Sequence, residues 1–210
     1  MNLAMRDKAP SIEQCYNLLK KYDVPDNIVQ HSEMVYEVAV FLADKLNRQG
    51  ENLRIPEIEA AALLHDMAKM EGLKTGQDHA KACKNLLDKL GFKRIGEIVG
   101  EHIELQQGRS SRPLSEEELI YYSDRRVMHS KVVTLEERFA DLRMRCDDKG
   151  SDKNAIKRAI ELENETYELE KKIFSKLDFT PEDLPNLRVS VAHNPPSRGV
   201  IKKNIIRRKI

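Results

Sequence analysis

Residues 60–69 read Ala-Ala-Ala-Leu-Leu-His-Asp-Met-Ala-Lys, an apolar helical run that ends with an imidazole and a carboxylate side by side. Few features restrict a fold more. Ala60, Ala61, Ala62, Leu63 and Leu64 are apolar on every face of a helix, so such a helix belongs in a core. His65 and Asp66 are drawn into that core with it. Unpaired polar or charged groups there cost on the order of several kcal/mol. A metal cation offsets that cost, and the chain supplies further ligands for one.

Those ligands emerge from helical neighbours. His31 shares a face with Val35, Val38 and Leu42. His79 lines up with Ala82, Cys83 and Leu86, His102 follows Ile95, Ile98 and Val99, and Asp124 lies with Ile120 and Val127. Each polar group therefore faces inward. A single inward histidine is usually a satisfied core residue. Here four of the chain's six histidines share the pattern with two aspartates, and a metal site explains the set. Nitrogen and carboxylate donors without thiolate suit Fe, Mn, Ni, Zn or Mg, and argue against a Cys-type structural zinc. Asp66 has two oxygens and can bridge two ions, about 3.5–4 Å apart in such sites.

The remainder of the sequence predicts an all-α fold. Apolar residues recur with a period near 3.6, and strand signals are nearly absent. Helices are expected after Ser11, from Pro25-Asp26 to about Arg48, from Ile55 through the His-Asp pair, over about 78–90, and over about 93–103. Further helices are expected after Ser115 and Thr134. Ser11 with Gln14, and Ser115 with Glu118, have the spacing of capping boxes. A long charged helix over about 152–177 carries the stripe Ile156, Ile160, Tyr167, Ile173 and Leu177, suited to the domain or to a second copy in a homodimer.

The organisation read from these signals is a catalytic domain over 11–148, a helical extension over 149–183 and a basic tail over 184–210. The tail has seven bases (Arg188, Arg198, Lys202, Lys203, Arg207, Arg208 and Lys209) and no acid, against +1 for the whole chain. Nucleic acid is expected to bind only there, if at all. No stretch has the length of a membrane span or the pattern of a secretory signal, so the expectation is a cytoplasmic protein without membrane partners. Cys15, Cys83 and Cys146 lack CxxC spacing and read as reduced packing residues.

The order His31, His65-Asp66, Asp124 resembles the HD superfamily of metal-dependent phosphohydrolases. Leu63-Leu64-His65-Asp66-Met67-Ala68-Lys69 is similar to the core motif of HDIG-type members, and Tyr121 to Val127 resembles their distal Asp motif. His79 and His102 match the subset with two metals. The resemblance covers about residues 11–145. It implies an HD-domain helical bundle in which His31, His65, Asp66 and Asp124 bind a first ion, and Asp66, His79 and His102 a second. It also implies hydrolysis of a phosphoester or phosphoanhydride by metal-activated water, with Asp66 and Lys69 catalytic.

Lys69 is expected to reach the substrate phosphate. Arg109 and Arg112, in the loop after His102, and Arg125, beside Asp124, are further substrate-binding candidates, since guanidinium pairs well with phosphate. The expected substrate is a phosphorylated small molecule, a nucleotide by preference. Two alternatives stay open: a dinucleoside polyphosphate hydrolase like the bacterial group that cleaves diadenosine tetraphosphate symmetrically, and a non-catalytic nucleotide sensor. The first group usually has His-Thr-x-Gly at the fourth histidine, where this chain reads His102-Ile103-Glu104-Leu105.

Overall fold

The computed structural model describes residues 8–106, 113–148 and 153–186. Within them the chain is all-α apart from one two-residue hairpin. In chain order the helices are α1 (Ile12–Lys21), α2 (Asp26–Arg48), α3 (Ile55–Leu64), α4 (Lys69–Thr75), α5 (His79–Lys89), α6 (Lys93–Gly100) and α7 (Glu116–Arg125). The hairpin strands β1 (Val127–Met128) and β2 (Lys131–Val132) precede α8 (Leu135–Asp148), α9 (Lys153–Phe174) and a 3-10 turn at Pro181–Asn186. Arg109, Arg112 and most of the basic tail lie outside the described residues.

Local sequence explains the helix ends. Ser11 and Ser115 each accept the backbone N–H three residues on, and Gln14 and Glu118 return the bond to the Ser N–H. Thr134 and Glu137 do the same ahead of α8. Such boxes satisfy donors that the first turn leaves bare. After α5 the chain turns at Gly91, whose φ of +89° suits a residue without a Cβ.

α3 is the central element. Ile58 and the run Ala60 to Leu64 are buried, and α2, α6, α7 and α1 pack around them. The three alanines let neighbouring helices approach closely. α5 packs on α6, α4 on α5, and α9 on α7 and α8. Leu169, Ile173 and Leu184 join the same core.

α9 is fastened to the bundle by Arg126, of which only 1% is exposed. Its guanidinium donates to Glu170 at 2.9 Å, to the Tyr122 hydroxyl at 2.7 Å, and to the carbonyls of Val133 and Pro181. A second buried cluster joins α3, α6 and α7. There Arg94 meets Glu57, Glu116 and Glu117 at 2.5–3.1 Å.

Three sequence expectations need correction. α3 ends at Leu64, so His65 and Asp66 occupy the turn before α4 rather than the helix. α6 ends at Gly100, so His102 lies beyond it. In both places the histidine ring takes the main-chain carbonyl three residues back, capping the helix end. The hairpin after Asp124 escaped the periodicity, because two-residue strands leave no alternation to read. Of the α9 stripe, Tyr167, Ile173 and Leu177 pack on the core, while Ile156 and Ile160 are exposed and line a cavity.

Candidate metal centre

The turn Leu64–Lys69 sets the site. Met67 N–H donates to the Leu64 carbonyl and Lys69 N–H to that of Asp66, so the chain reverses tightly between α3 and α4. The Cys83 thiol, on α5, accepts the Ala68 N–H at 3.1 Å and ties this turn to its neighbour. Onto it converge His31 from α2, His79 from the first position of α5, His102 from beyond α6, and Asp124 from α7. The result is two clusters, one of His31, His65 and Asp124 and one of Asp66, His79 and His102. The ligating atoms within each lie within 4.8 Å of one another.

The histidine tautomers are fixed by the main chain. A carbonyl oxygen only accepts, so a ring nitrogen bonded to one carries the proton. His65 Nδ1 donates to the Ala62 carbonyl at 2.8 Å and His102 Nδ1 to the Val99 carbonyl at 2.7 Å. His31 Nδ1 donates to the carbonyl of His129, in the hairpin, at 3.0 Å. In the neutral form of each of these three rings Nε2 is therefore left as an acceptor. His31 Nε2 faces Asp124 Oδ1 at 2.8 Å, and His65 Nε2 stands 3.6 Å from the same oxygen and 3.7 Å from Asp66 Oδ2. His102 Nε2 faces His79 Nε2 at 3.3 Å, with Asp66 Oδ1 at 3.7 and 3.4 Å from the two rings.

Acceptors facing acceptors repel unless a proton or a cation lies between them. His65 Nε2 and Asp66 Oδ1 are both buried without a hydrogen-bond partner. Buried polar atoms in that condition are rare and call for an explanation. A divalent cation would supply it, because imidazole nitrogen and carboxylate oxygen are its ordinary donors. The carbonyls behind the imidazoles of His31, His65 and His102 are the outer support that metal-bound histidines usually have. The residues thus fit divalent metal, and the two oxygens of Asp66 address different clusters.

The electrostatics agree. Burial alone would raise the Asp66 pKa, but His65, His102 and Lys69 hold it far below the ordinary carboxylate value. Asp124, also buried, is held down by His31 and His65. Burial opposes charge on His65, yet Asp66 and Asp124 leave its pKa above the usual imidazole value. For His79 burial prevails over the attraction of Asp66, and its pKa falls.

Lys69 opens α4, and its Nζ sits 2.6 Å from Asp66 Oδ2. It lines the cavity together with five of the six candidate ligands: His31, Asp66, His79, His102 and Asp124. Arg125 lines it too, but its guanidinium is directed elsewhere. It donates to the carbonyls of His102, Ile103 and Tyr121 and stacks on the Tyr121 ring, 3.4 Å from the centroid. That geometry makes Arg125 a brace for the segment carrying His102, in place of the free phosphate ligand expected from its position. His129, which the sequence pattern leaves on the surface, contributes its carbonyl to His31 from a turn with φ of +56°. Only an unusual turn between α7 and α8 would have marked it.

Comparison with known proteins agrees with this geometry. The family model described as the HD domain matches residues 28–192, and the chain belongs to that family. Two curated relatives are named tRNA (cytidine(56)-2'-O)-methyltransferase. The one from Thermoplasma volcanium is 34% identical over 95 residues, which is 45% of this chain and 26% of the relative. The one from Picrophilus torridus is 36% identical over 95 residues, 44% of this chain and 26% of the relative. The chain thus spans about a quarter of the length of the curated relatives it matches. Among solved structures, a predicted HD superfamily hydrolase from an uncultured Thermotogales bacterium aligns with a TM-score of 0.45 at 17% identity. That alignment covers 84% of this chain and 97% of the other.

Proposed function

We propose that the chain is a metal-dependent phosphohydrolase acting on a phosphoester or phosphoanhydride of a nucleotide-like small molecule. One observation carries the reading: His65 Nε2 and Asp66 Oδ1 are buried, unpartnered and aimed among other acceptors, which is a seat for cations. His31, His65, Asp66 and Asp124 would hold one ion, and Asp66, His79 and His102 a second. A divalent ion supplies, when bound, Lewis-acid polarisation of a phosphoryl oxygen and activation of water.

The protein's own groups do the rest. The Nδ1 bonds of His31, His65 and His102 hold the three rings in one tautomer and orientation. The charges of His65, His102 and Lys69, which hold the Asp66 carboxyl far below its ordinary pKa, favour its ionised form. Lys69, charged and at the cavity wall, would turn from Asp66 Oδ2 towards a phosphate oxygen when the carboxylate finds another cation. It would then balance the charge that develops on the phosphate. Among the described residues no serine or cysteine lines the cavity, and water would be the attacking group.

Elemental analysis of protein purified without chelator tests the ligand set, and two metals per chain is the expected result. Turnover of an aryl phosphodiester, an aryl phosphomonoester and a nucleotide panel with added Mn, Fe, Ni, Zn or Mg tests the chemistry. Tight nucleotide binding without turnover under every metal would replace the hydrolase with the sensor. A second reading, a phosphoester of RNA as substrate, draws on the tRNA in the names of both relatives, of which the chain covers 26%. A short RNA phosphorylated at either end belongs in the same panel.

A further inference from the structure

The cavity of about 700 Å³ that holds the two clusters has an apolar lining as well as a polar one. Met70 and Leu73 from α4, Leu142 from α8, and Ile156 and Ile160 from α9 belong to it. Leu73 is 70% exposed and Ile160 52%. The large hydrophobic residues exposed among the described residues are Tyr22, Met70, Leu73, Met144, Ile156 and Ile160, and four of them line this one cavity. Exposed apolar side chains scattered singly need no explanation. Gathered in one concavity beside a polar centre, they mark the seat of a ligand's apolar part.

The cations of the cavity are mostly committed. Lys69 holds Asp66, Arg125 holds three carbonyls, and Arg143 pairs with Glu163 at 2.6 Å. Arg138, in the early part of α8, differs from them. Its side chain makes no hydrogen bond or ion pair among the described residues, and its Nε is buried without an acceptor. A buried donor left unmade costs roughly 1–3 kcal/mol. The residue also sits near the positive end of its helix, where a cation is disfavoured. An anion in the cavity relieves both costs.

We propose that Arg138 binds an anionic oxygen of the substrate, and that the rest of this substrate is a bulky apolar or planar body resting on Met70, Leu73, Leu142, Ile156 and Ile160. The inference rests on the phosphohydrolase reading and narrows it. The substrate class is the phosphate ester of a large, weakly polar group, of which a nucleoside base is one form. A compact sugar phosphate would leave the apolar wall wet.

Calorimetric titration of the Mn-loaded chain with inorganic phosphate and with the non-hydrolysable 1-naphthylmethylphosphonate tests this. The phosphonate is expected to bind at least about tenfold more tightly, from the apolar area it buries. Leu73→Ser combined with Ile160→Ser should bring the phosphonate down to the affinity of inorganic phosphate. Both positions are exposed, so an unchanged circular-dichroism spectrum will show that the fold survives. Arg138→Gln should weaken both ligands about tenfold and Arg138→Lys should recover part of the loss, as expected for a charge-assisted bond. Equal affinities for the two ligands in the unaltered chain, or an Arg138→Gln variant that binds as tightly as the parent, would overturn the inference. Normal hydrolysis of 1-naphthyl phosphate by Arg138→Gln, with KM unchanged, would sink it and leave the hydrolase standing. The expected binding pattern without turnover would support the ligand class and sink the hydrolase.

Discussion

A Cβ built on Gly72 would stand 3.0 Å from both Cα and Cβ of His79. The same atom would meet the Gln77 carbonyl oxygen at 3.0 Å. α4 therefore crosses the start of α5 so closely that a side chain at position 72 requires its neighbours to give by a few tenths of an ångström, and one of those neighbours is a candidate ligand. Gly72→Ala is expected to push His79 away from Asp66 and His102, lowering metal content by about one ion per chain. The overpacking should cost about 1–3 kcal/mol in stability. Elemental analysis and a urea titration of the variant check both parts. Full metal content would show that His79 tolerates the displacement.

Asp66 belongs to the cluster of His79 and His102, and its Oδ2 stands 3.7 Å from His65 Nε2 of the other. Asp66→Asn keeps its size, removes its charge and replaces one oxygen by a donor facing His79 and His102 or His65 and Lys69. Turnover should fall by about a hundredfold or more, and metal should be lost from both clusters. A variant with parental rates and metal content would refute the ligand assignment.

Arg126 predicts a purely structural effect. Its bonds to Glu170, Val133 and Pro181 join α7 to α9 and to the 3-10 turn. Arg126→Met preserves much of the volume but leaves Glu170 without its charge partner. The loss should be about 3 kcal/mol. Hydrogen exchange should accelerate in α9 before α3, because α3 is enclosed by other helices.

The Arg94 cluster gives stability a dependence on acid. Burial would raise the pKa of Glu117, but the hydrogen bond and charge of Arg94 prevail and hold it below the ordinary glutamate value. A carboxylate with a depressed folded pKa stabilises the fold above its unfolded pKa, about 4.3, and that contribution disappears as pH falls through the folded value. The unfolding midpoint in urea should therefore drop between pH 5 and pH 3, and the Glu117→Gln variant, weaker at pH 7, should drop less. Parallel curves for the two proteins would place the acid sensitivity elsewhere.

Much of this architecture is legible in the residue order. The capping boxes at Ser11 and Ser115, the stop at Gly91 and the apolar run Ala60 to Leu64 of α3 are local signals, and local physics decides them. The convergence of the candidate ligands also follows from helical faces: Val35, Val38 and Leu42 are buried beneath His31 as their spacing requires. Legibility fails where a single tertiary contact decides. His65 and His102 each end a helix that periodicity would have continued, because a ring nitrogen takes the carbonyl. Arg125 and Arg126 are adjacent and alike in sequence. One braces the His102 segment and the other anchors α9, and only the position of distant carbonyls separates their roles. The apolar character of Ile156 and Ile160 is plain in sequence, but whether it meets a core, a second copy or a cavity depends on how α9 leans on α7.

The carbonyls behind His65 and His102 belong to α3 and α6, and the one behind His31 to the hairpin. The chain's own packing thus builds the seat for metal, unlike a zinc finger, whose chain collapses only around its ion. A chelator should strip this centre without melting a helix, and ions of similar size should exchange freely in a seat already built. Supply in the surroundings, more than the protein, would then decide which one resides there.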